Sequence, residues 1–432
     1  MIKPSCCRCA CVFALGAVAA LSHASNVAAQ FLEPVRILQE WRGEAANDQF
    51  GWIARNIGDV DHDGVNDVVA SAPTNAAGGE NAGAIYVYSS KTGELLWKAQ
   101  GETNWRLGLS VEAAGDVDAD GTPDVVAGAP GGARAIVYAG DTGDVLRTFR
   151  STEERDFFGR GLCDAGDWNS DGYDDVLVGA QRHDGDTGED AGKIYLFSGK
   201  DGDILFVLEG ERTGDNFGSQ VAGAVQGGLR LLVVGAQNAG DGKRGAVYVY
   251  KGETPELAFT IHADDTGVLL GRMFVSVVGD IDADGYPDVY ASDWNDASKG
   301  KNTGKIYIYS GRTGERLLSL AGETAGDGFG IGVADAGDID HDKHDDLVIG
   351  AWQHATGAKS GGRVYVFSGA TGERLRTITC TVENDTFGFD ATGIGDVDGD
   401  GEIDFLLTSA WSGECGEKCG RMFIIAGQKT QR

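Results

Sequence analysis

The sequence predicts an all-β, seven-bladed β-propeller, four strands per blade, closed by the N-terminal strand completing blade seven. Three observations carry this. A Phe-Gly or Leu-Gly step recurs seven times: Phe50-Gly51, Leu107-Gly108, Phe158-Gly159, Phe217-Gly218, Leu270-Gly271, Phe329-Gly330 and Phe387-Gly388. Each step heads a unit of short apolar runs separated by turn residues, and a fixed long period of this kind marks a repeat architecture. The two ends of the chain carry complementary fragments of one such unit.

Within a unit, a short apolar strand follows the Phe-Gly step and leads into an aspartate-rich loop. A second strand comes at once, as in Asp67-Val-Val-Ala-Ser-Ala-Pro73. After a variable polar loop, the third strand alternates aliphatic and aromatic residues, as in Ala84-Ile-Tyr-Val-Tyr88 and Lys305-Ile-Tyr-Ile-Tyr309. Alternation of that kind suits a pleated strand. A Thr-Gly turn opens the fourth strand, for example Glu315-Arg-Leu-Leu-Ser-Leu320. The last unit stops after its third strand, Arg421-Met-Phe-Ile-Ile-Ala426, while Val35-Arg-Ile-Leu-Gln-Glu-Trp41 precedes the first Phe-Gly as a strand without a blade. Pairing the two fills the seventh blade and removes an open sheet edge.

The aspartate loops are the chemical signature. They read Asp59-Val-Asp61-His-Asp63-Gly64-Val65-Asn-Asp67, Asp116-Val-Asp118-Ala-Asp120-Gly121-Thr122-Pro-Asp124 and Asp167-Trp-Asn169-Ser-Asp171-Gly172-Tyr173-Asp-Asp175. Further along come Asp280-Ile-Asp282-Ala-Asp284-Gly285-Tyr286-Pro-Asp288, Asp338-Ile-Asp340-His-Asp342-Lys343-His344-Asp-Asp346 and Asp396-Val-Asp398-Gly-Asp400-Gly401-Glu402-Ile-Asp404. Ca²⁺ takes six to eight oxygens at short range. Side chains at positions 1, 3, 5 and 9 and a backbone carbonyl at position 7 supply them, so about six Ca²⁺ ions are expected. Glycine at position 6 permits the positive φ that turns the chain around the ion. Lys343 breaks that rule, which marks its loop as the weakest site. The fourth unit has no set: Ala222-Gly-Ala-Val-Gln-Gly-Gly-Leu-Arg230 stands in place of the aspartates.

The acidic excess, 66 Asp and Glu against 36 Lys and Arg for a net charge of −30, largely belongs to these loops. It argues against nucleic acid, which needs a basic footprint. With 68 glycines and seven prolines among 432 residues, the chain reads as strands and tight turns.

Residues 1–29 read as a secretory signal peptide, with Lys3 and Arg8 ahead of an apolar run too short to span a membrane. Residues 30–432 are then a single exported propeller, secreted, periplasmic or at the cell surface, with no membrane span. In an oxidising compartment Cys415 and Cys419 are candidates for a disulfide; Cys163 and Cys380 read as buried single thiols.

The Phe-Gly step, the Asp-x-Asp-x-Asp-Gly-x-x-Asp loop and the Gly128-Ala129-Pro130 that ends the following strand resemble FG-GAP repeats. The family includes the seven-bladed head of integrin α chains and secreted bacterial proteins. The resemblance covers about residues 31 to 427 and implies calcium in the hairpins between strands 1 and 2. No leg domain or transmembrane helix is evident after it, so integrin signalling is not implied.

Loops between strands 2 and 3 share the face opposite the aspartate loops, and variable loops on a rigid scaffold are usual recognition sites. Trp294, Trp352 and Trp411 recur there in three consecutive blades. They form either an aromatic strip for a ligand or packing at blade edges. No Gly-x-Ser-x-Gly elbow, His-Glu-x-x-His or phosphate loop is present, so no catalytic residue is assigned. His183, His262 and His354 read as isolated exposed histidines. The function expected is a binding or adhesion module for an extracellular protein or glycan. The alternative is a calcium-dependent polysaccharide-active enzyme, which needs basic and aromatic residues converging at the ring centre.

Overall fold

The computed structural model describes residues 30–151, 153, 155–332 and 335–428. The expected signal peptide, residues 1–29, lies outside them. Seven antiparallel sheets follow one another along the chain. The first comprises Ala54–Gly58, Asp67–Ala72, Ala84–Tyr88 and Leu95–Gln100 in sequential order. Five more repeat that meander. In the sixth, the innermost strand is described as two pieces, Phe329–Ile331 and Asp335–Gly337. The seventh has the order Ile37–Arg42, Arg421–Ile425, Asp404–Ser409, Ala391–Gly395. Its outer strand therefore comes from the N-terminal end, with Trp41 opposite Met422 and Arg42 opposite Arg421.

Second strands such as Asp67–Ala72, Asp288–Asp293 and Asp404–Ser409 are buried at every position, packed between neighbouring blades. The phenylalanines of the Phe-Gly steps are 0–2% exposed, which makes each a core residue whose truncation costs about 3–5 kcal/mol. In five units the glycine that closes the variable loop meets the next unit's step in an isolated parallel bridge, as Gly83 with Leu107 and Gly362 with Phe387. Gly362 has φ +91°, and a Cβ there would lie 2.0 Å from the Phe387 carbonyl oxygen. That contact is open only to glycine.

At the axis, Arg55 on the first blade's inner strand ties three blades together. Its Nε donates to Glu112 of the second blade at 2.6 Å, and its guanidinium pairs with Asp390 of the seventh. The fourth blade replaces the metal loop with hydrogen bonds: strands Phe217–Gln226 and Leu229–Ala236 stay paired to Gln226 opposite Leu229. Gly227 and Gly228, both at positive φ (58° and 83°), make the two-residue turn.

Candidate metal centres

In all six aspartate loops the same backbone bonds hold the carboxylates in place. The position 1 aspartate accepts the position 5 N–H at 2.9–3.0 Å. Its other oxygen accepts the position 6 N–H at 2.7–2.9 Å. The position 5 side chain accepts the position 7 N–H at 2.8–3.2 Å. These short loops fold the acidic side chains inward before any ion arrives.

Position 9 also ties each loop to the rest of its blade. Asp67, Asp124, Asp175, Asp288, Asp346 and Asp404 are 0–1% exposed. One oxygen of each accepts the position 2 N–H at 2.8–3.0 Å. The other accepts an N–H beyond the blade's third strand, from Ser90, Gly140, Gly199, Gly311, Gly369 or Gly427, at 2.8–3.1 Å. This carboxylate clasps the loop to the far end of its own blade.

Without a cation the arrangement is electrostatically unfavourable. Burial pushes Asp124 and Asp288 up to about 7, and Asp67, Asp175 and Asp346 up to about 6, with neighbouring loop carboxylates adding to the shift. Burial likewise raises Asp404. A divalent cation among these groups reverses that logic. In blades 1, 2, 5 and 6 the carboxylates at positions 1, 3 and 9 each place an oxygen within 4.8 Å of the others, as in Asp280, Asp282 and Asp288. The all-oxygen donor set fits a hard cation.

The loops are not identical. In the third, the Asn169 amide donates to Asp171 Oδ2 at 3.1 Å, so one ligand position is neutral. In the sixth, Lys343 adopts φ +77° where the others carry glycine. In the seventh, Arg36 pairs with Asp398 and Asp400, placing a guanidinium where a cation's charge belongs.

Three features escaped sequence reasoning. Position 4 (His62, Ala119, Ser170, Ala283, His341 and Gly399) also takes positive φ, 56–79°; Gly399 was its only trace. Position 8 reaches the preceding blade's loop. Asp174 accepts the Asp116 N–H at 2.8 Å, Asp345 accepts that of Asp280 at 2.7 Å, and Asn66 donates to the Ile394 carbonyl at 3.1 Å. Finally, His183 and His354 are not exposed. They are 8% and 3% exposed, and His354 Nε2 lies 3.2 Å from Glu323. His183 sits with Glu153 and Asp156 in a further acidic cluster, Nδ1 3.3 Å from Glu153. Burial of a loop histidine depends on tertiary packing that composition does not reveal.

On the opposite face, the three tryptophans form one edge-to-face cluster. Centroid separations are 6.1 Å for Trp294–Trp352 and 4.9 Å for Trp352–Trp411. Trp352 is 5% exposed and belongs to the core, whereas Trp294 and Trp411 are half-buried. Cys415 and Cys419 are joined by a disulfide, Cα atoms 5.7 Å apart. Cys163 and Cys380 are free; Cys380 is buried and Cys163 half-buried.

The FG-GAP repeat family model matches residues 50–88, from the first Phe-Gly step to the end of the third strand. Human integrin alpha-8 is 31% identical over 228 residues, covering 48% of this chain and 20% of that protein. Integrin alpha-4 of Xenopus laevis is 29% identical over 250 residues, covering 53% and 23%. Integrin alpha pat-2 of Caenorhabditis briggsae is 32% identical over 216 residues, covering 42% and 17%. The matched segment thus spans about a fifth of each of these relatives. With seven four-stranded blades and an FG-GAP repeat match at its first unit, the chain is a seven-bladed propeller that resembles the N-terminal propeller of integrin α chains.

Proposed function

We propose that this chain is an exported, calcium-loaded propeller that serves as a binding and adhesion module for an extracellular protein or glycan. The observation that carries the reading is the sixfold repetition of one carboxylate geometry, each copy held by backbone N–H groups and each unfavourably charged without a cation. Side chains at positions 1, 3, 5 and 9 and the carbonyl at position 7 hold Ca²⁺ in each loop. The ion neutralises the clustered carboxylates and stiffens the hairpin between strands 1 and 2. The scaffold then presents the variable loops of the other face, including Trp294 and Trp411, as a rigid surface.

Metal analysis of protein equilibrated with calcium and passed through a desalting column tests the first half. About six Ca²⁺ per chain are expected, and two or fewer would overturn the assignment. Pull-down of extracellular proteins, beside a glycan array, with and without calcium tests the second half. Binding that is indifferent to calcium would separate ligand recognition from the metal loops.

A further inference from the structure

Of the ring of residues that follow the Phe-Gly and Leu-Gly steps, Trp52, Arg160 and Phe389 line one cavity at the axial mouth. One contiguous part of this ring is aromatic: Trp52 and Phe389 lie 4.9 Å apart, and Trp352 packs on Phe389 at 5.5 Å. Another part is cationic. Arg160 and Arg272 follow the third and fifth steps, and Arg106 directly precedes the second. Arg160 lines a narrow axial cavity of about 20 Å³ together with Trp52, Phe274 and Phe389.

The three arginines lack counterions. Arg160 contacts only the Met273 sulfur, at 3.5 Å, and Arg106 and Arg272 make no ion pair among the described residues. Burial together with the Arg106 and Arg272 charges pushes Arg160 down to about 10. Glu112 and Asp390 border the same region, but both are engaged by Arg55. A chain of net charge −30 therefore keeps Arg160, with Arg106 and Arg272 acting on it, without an ion pair among the described residues. A half-buried arginine flanked by two exposed ones beside aromatic side chains is the composition of a binding hot spot, and guanidinium favours carboxylate geometry.

We propose that this axial mouth receives a single carboxylate side chain, aspartate or glutamate, presented by a protein partner. The inference rests on the binding-module reading and names the group that is recognised. A cavity of about 20 Å³ holds little more than one water, so it admits the tip of a side chain and no sugar ring. The chain's negative field disfavours a polyanionic glycan, whereas one carboxylate meets the local positive potential.

The test uses Ac-Phe-Glu-NH2 and its uncharged isostere Ac-Phe-Gln-NH2, titrated at low ionic strength and followed by tryptophan fluorescence and calorimetry. The glutamate peptide is expected to bind saturably, and the glutamine peptide at least about tenfold more weakly. Arg106→Gln and Arg272→Gln, on exposed side chains, should each weaken binding several-fold with unchanged melting curves; Arg160→Gln should weaken it further. Equal binding of the two peptides, no saturable binding, or indifference to all three substitutions overturns the proposal. An oligoglucuronate that binds more tightly than the glutamate peptide, and loses binding in the same variants, reassigns the mouth to an acidic glycan and also overturns it. Calcium content measured on the same samples reports separately on the metal reading.

Discussion

Asp284→Ala and Asp288→Ala, two changes in one hairpin, should destabilise the protein by different routes. The Asp288 carboxylate is fully buried and accepts the Ile281 N–H at 2.8 Å and the Gly311 N–H at 3.0 Å. Removing it strands two buried donors, at about 1–3 kcal/mol each, so the loss without calcium is about 2–6 kcal/mol. Asp284 is only partly buried, and its oxygen accepts the Tyr286 N–H at 3.1 Å. Its loss without metal costs about 0.5–1 kcal/mol. With calcium, the site's contribution, RT ln(1 + [L]/Kd), is lost as well: about 0.4 kcal/mol at the Kd and about 2.7 at a hundredfold excess. For roughly 400 ordered residues at about 2.1 cal/mol/K each, 4 kcal/mol corresponds to about 5 °C in Tm. Calorimetry in EDTA and across a calcium series should therefore show Asp288→Ala lowered by about 2–7 °C in EDTA and by more as calcium rises, because position 9 is also a proposed ligand. Asp284→Ala should lie within about 1 °C of the parent in EDTA and diverge as calcium rises. If Asp288→Ala melts with the parent in EDTA, the clasp carries no stability and position 9 serves the metal alone.

Chelation should lower Tm markedly, with calcium restoring it better than magnesium, whose small octahedral shell fits these loops poorly; matching melting curves in EDTA and millimolar calcium would refute this. Lys343→Gly relieves a left-handed lysine and removes a positive charge, so it should stabilise the calcium-bound form by about 1 kcal/mol, read as a larger calcium-induced shift. Arg36→Gln frees Asp398 and Asp400, costing at most about 1 kcal/mol without metal and steepening the response to calcium; an unchanged calcium response would show that Arg36 does not compete. Arg55→Met removes the guanidinium that bridges Glu112 and Asp390 and should cost about 3–5 kcal/mol, measurable by denaturant unfolding. Deleting Val35 to Trp41 should cause aggregation or a large fall in Tm, and a truncated chain melting within a few degrees of the parent would contradict the strand's role in the seventh blade.

Much of this architecture was legible because repetition turns one weak local pattern into seven mutually aligned ones. The Phe-Gly steps located the blades, and the missing aspartates from Ala222 to Arg230 pointed to the hairpin that hydrogen bonds alone complete. The residues of each candidate metal loop fall within nine consecutive positions, so their convergence is a local matter that spacing can express. What spacing cannot express is the axis. Trp52, Arg160, Arg272 and Phe389 are scattered over 338 positions and meet only because the ring closes. The inter-blade bonds of Asn66, Asp174 and Asp345 and the burial of His354 escaped for the same reason. Each depends on a neighbour from another blade.

The seventh blade joins the first strand made to nearly the last. Until Arg421–Ile425 leaves the ribosome, Ile37–Arg42 has no sheet to enter, although every other blade can already be paired within itself. Completion of the seventh blade thus waits for its third strand, after every other blade has all its strands. Damage is symmetrical too. A protease trimming the front of the folded ring and a ribosome stopping short of its last strand remove opposite halves of one pairing, so both products carry the same unzipped blade and should meet the same quality-control fate.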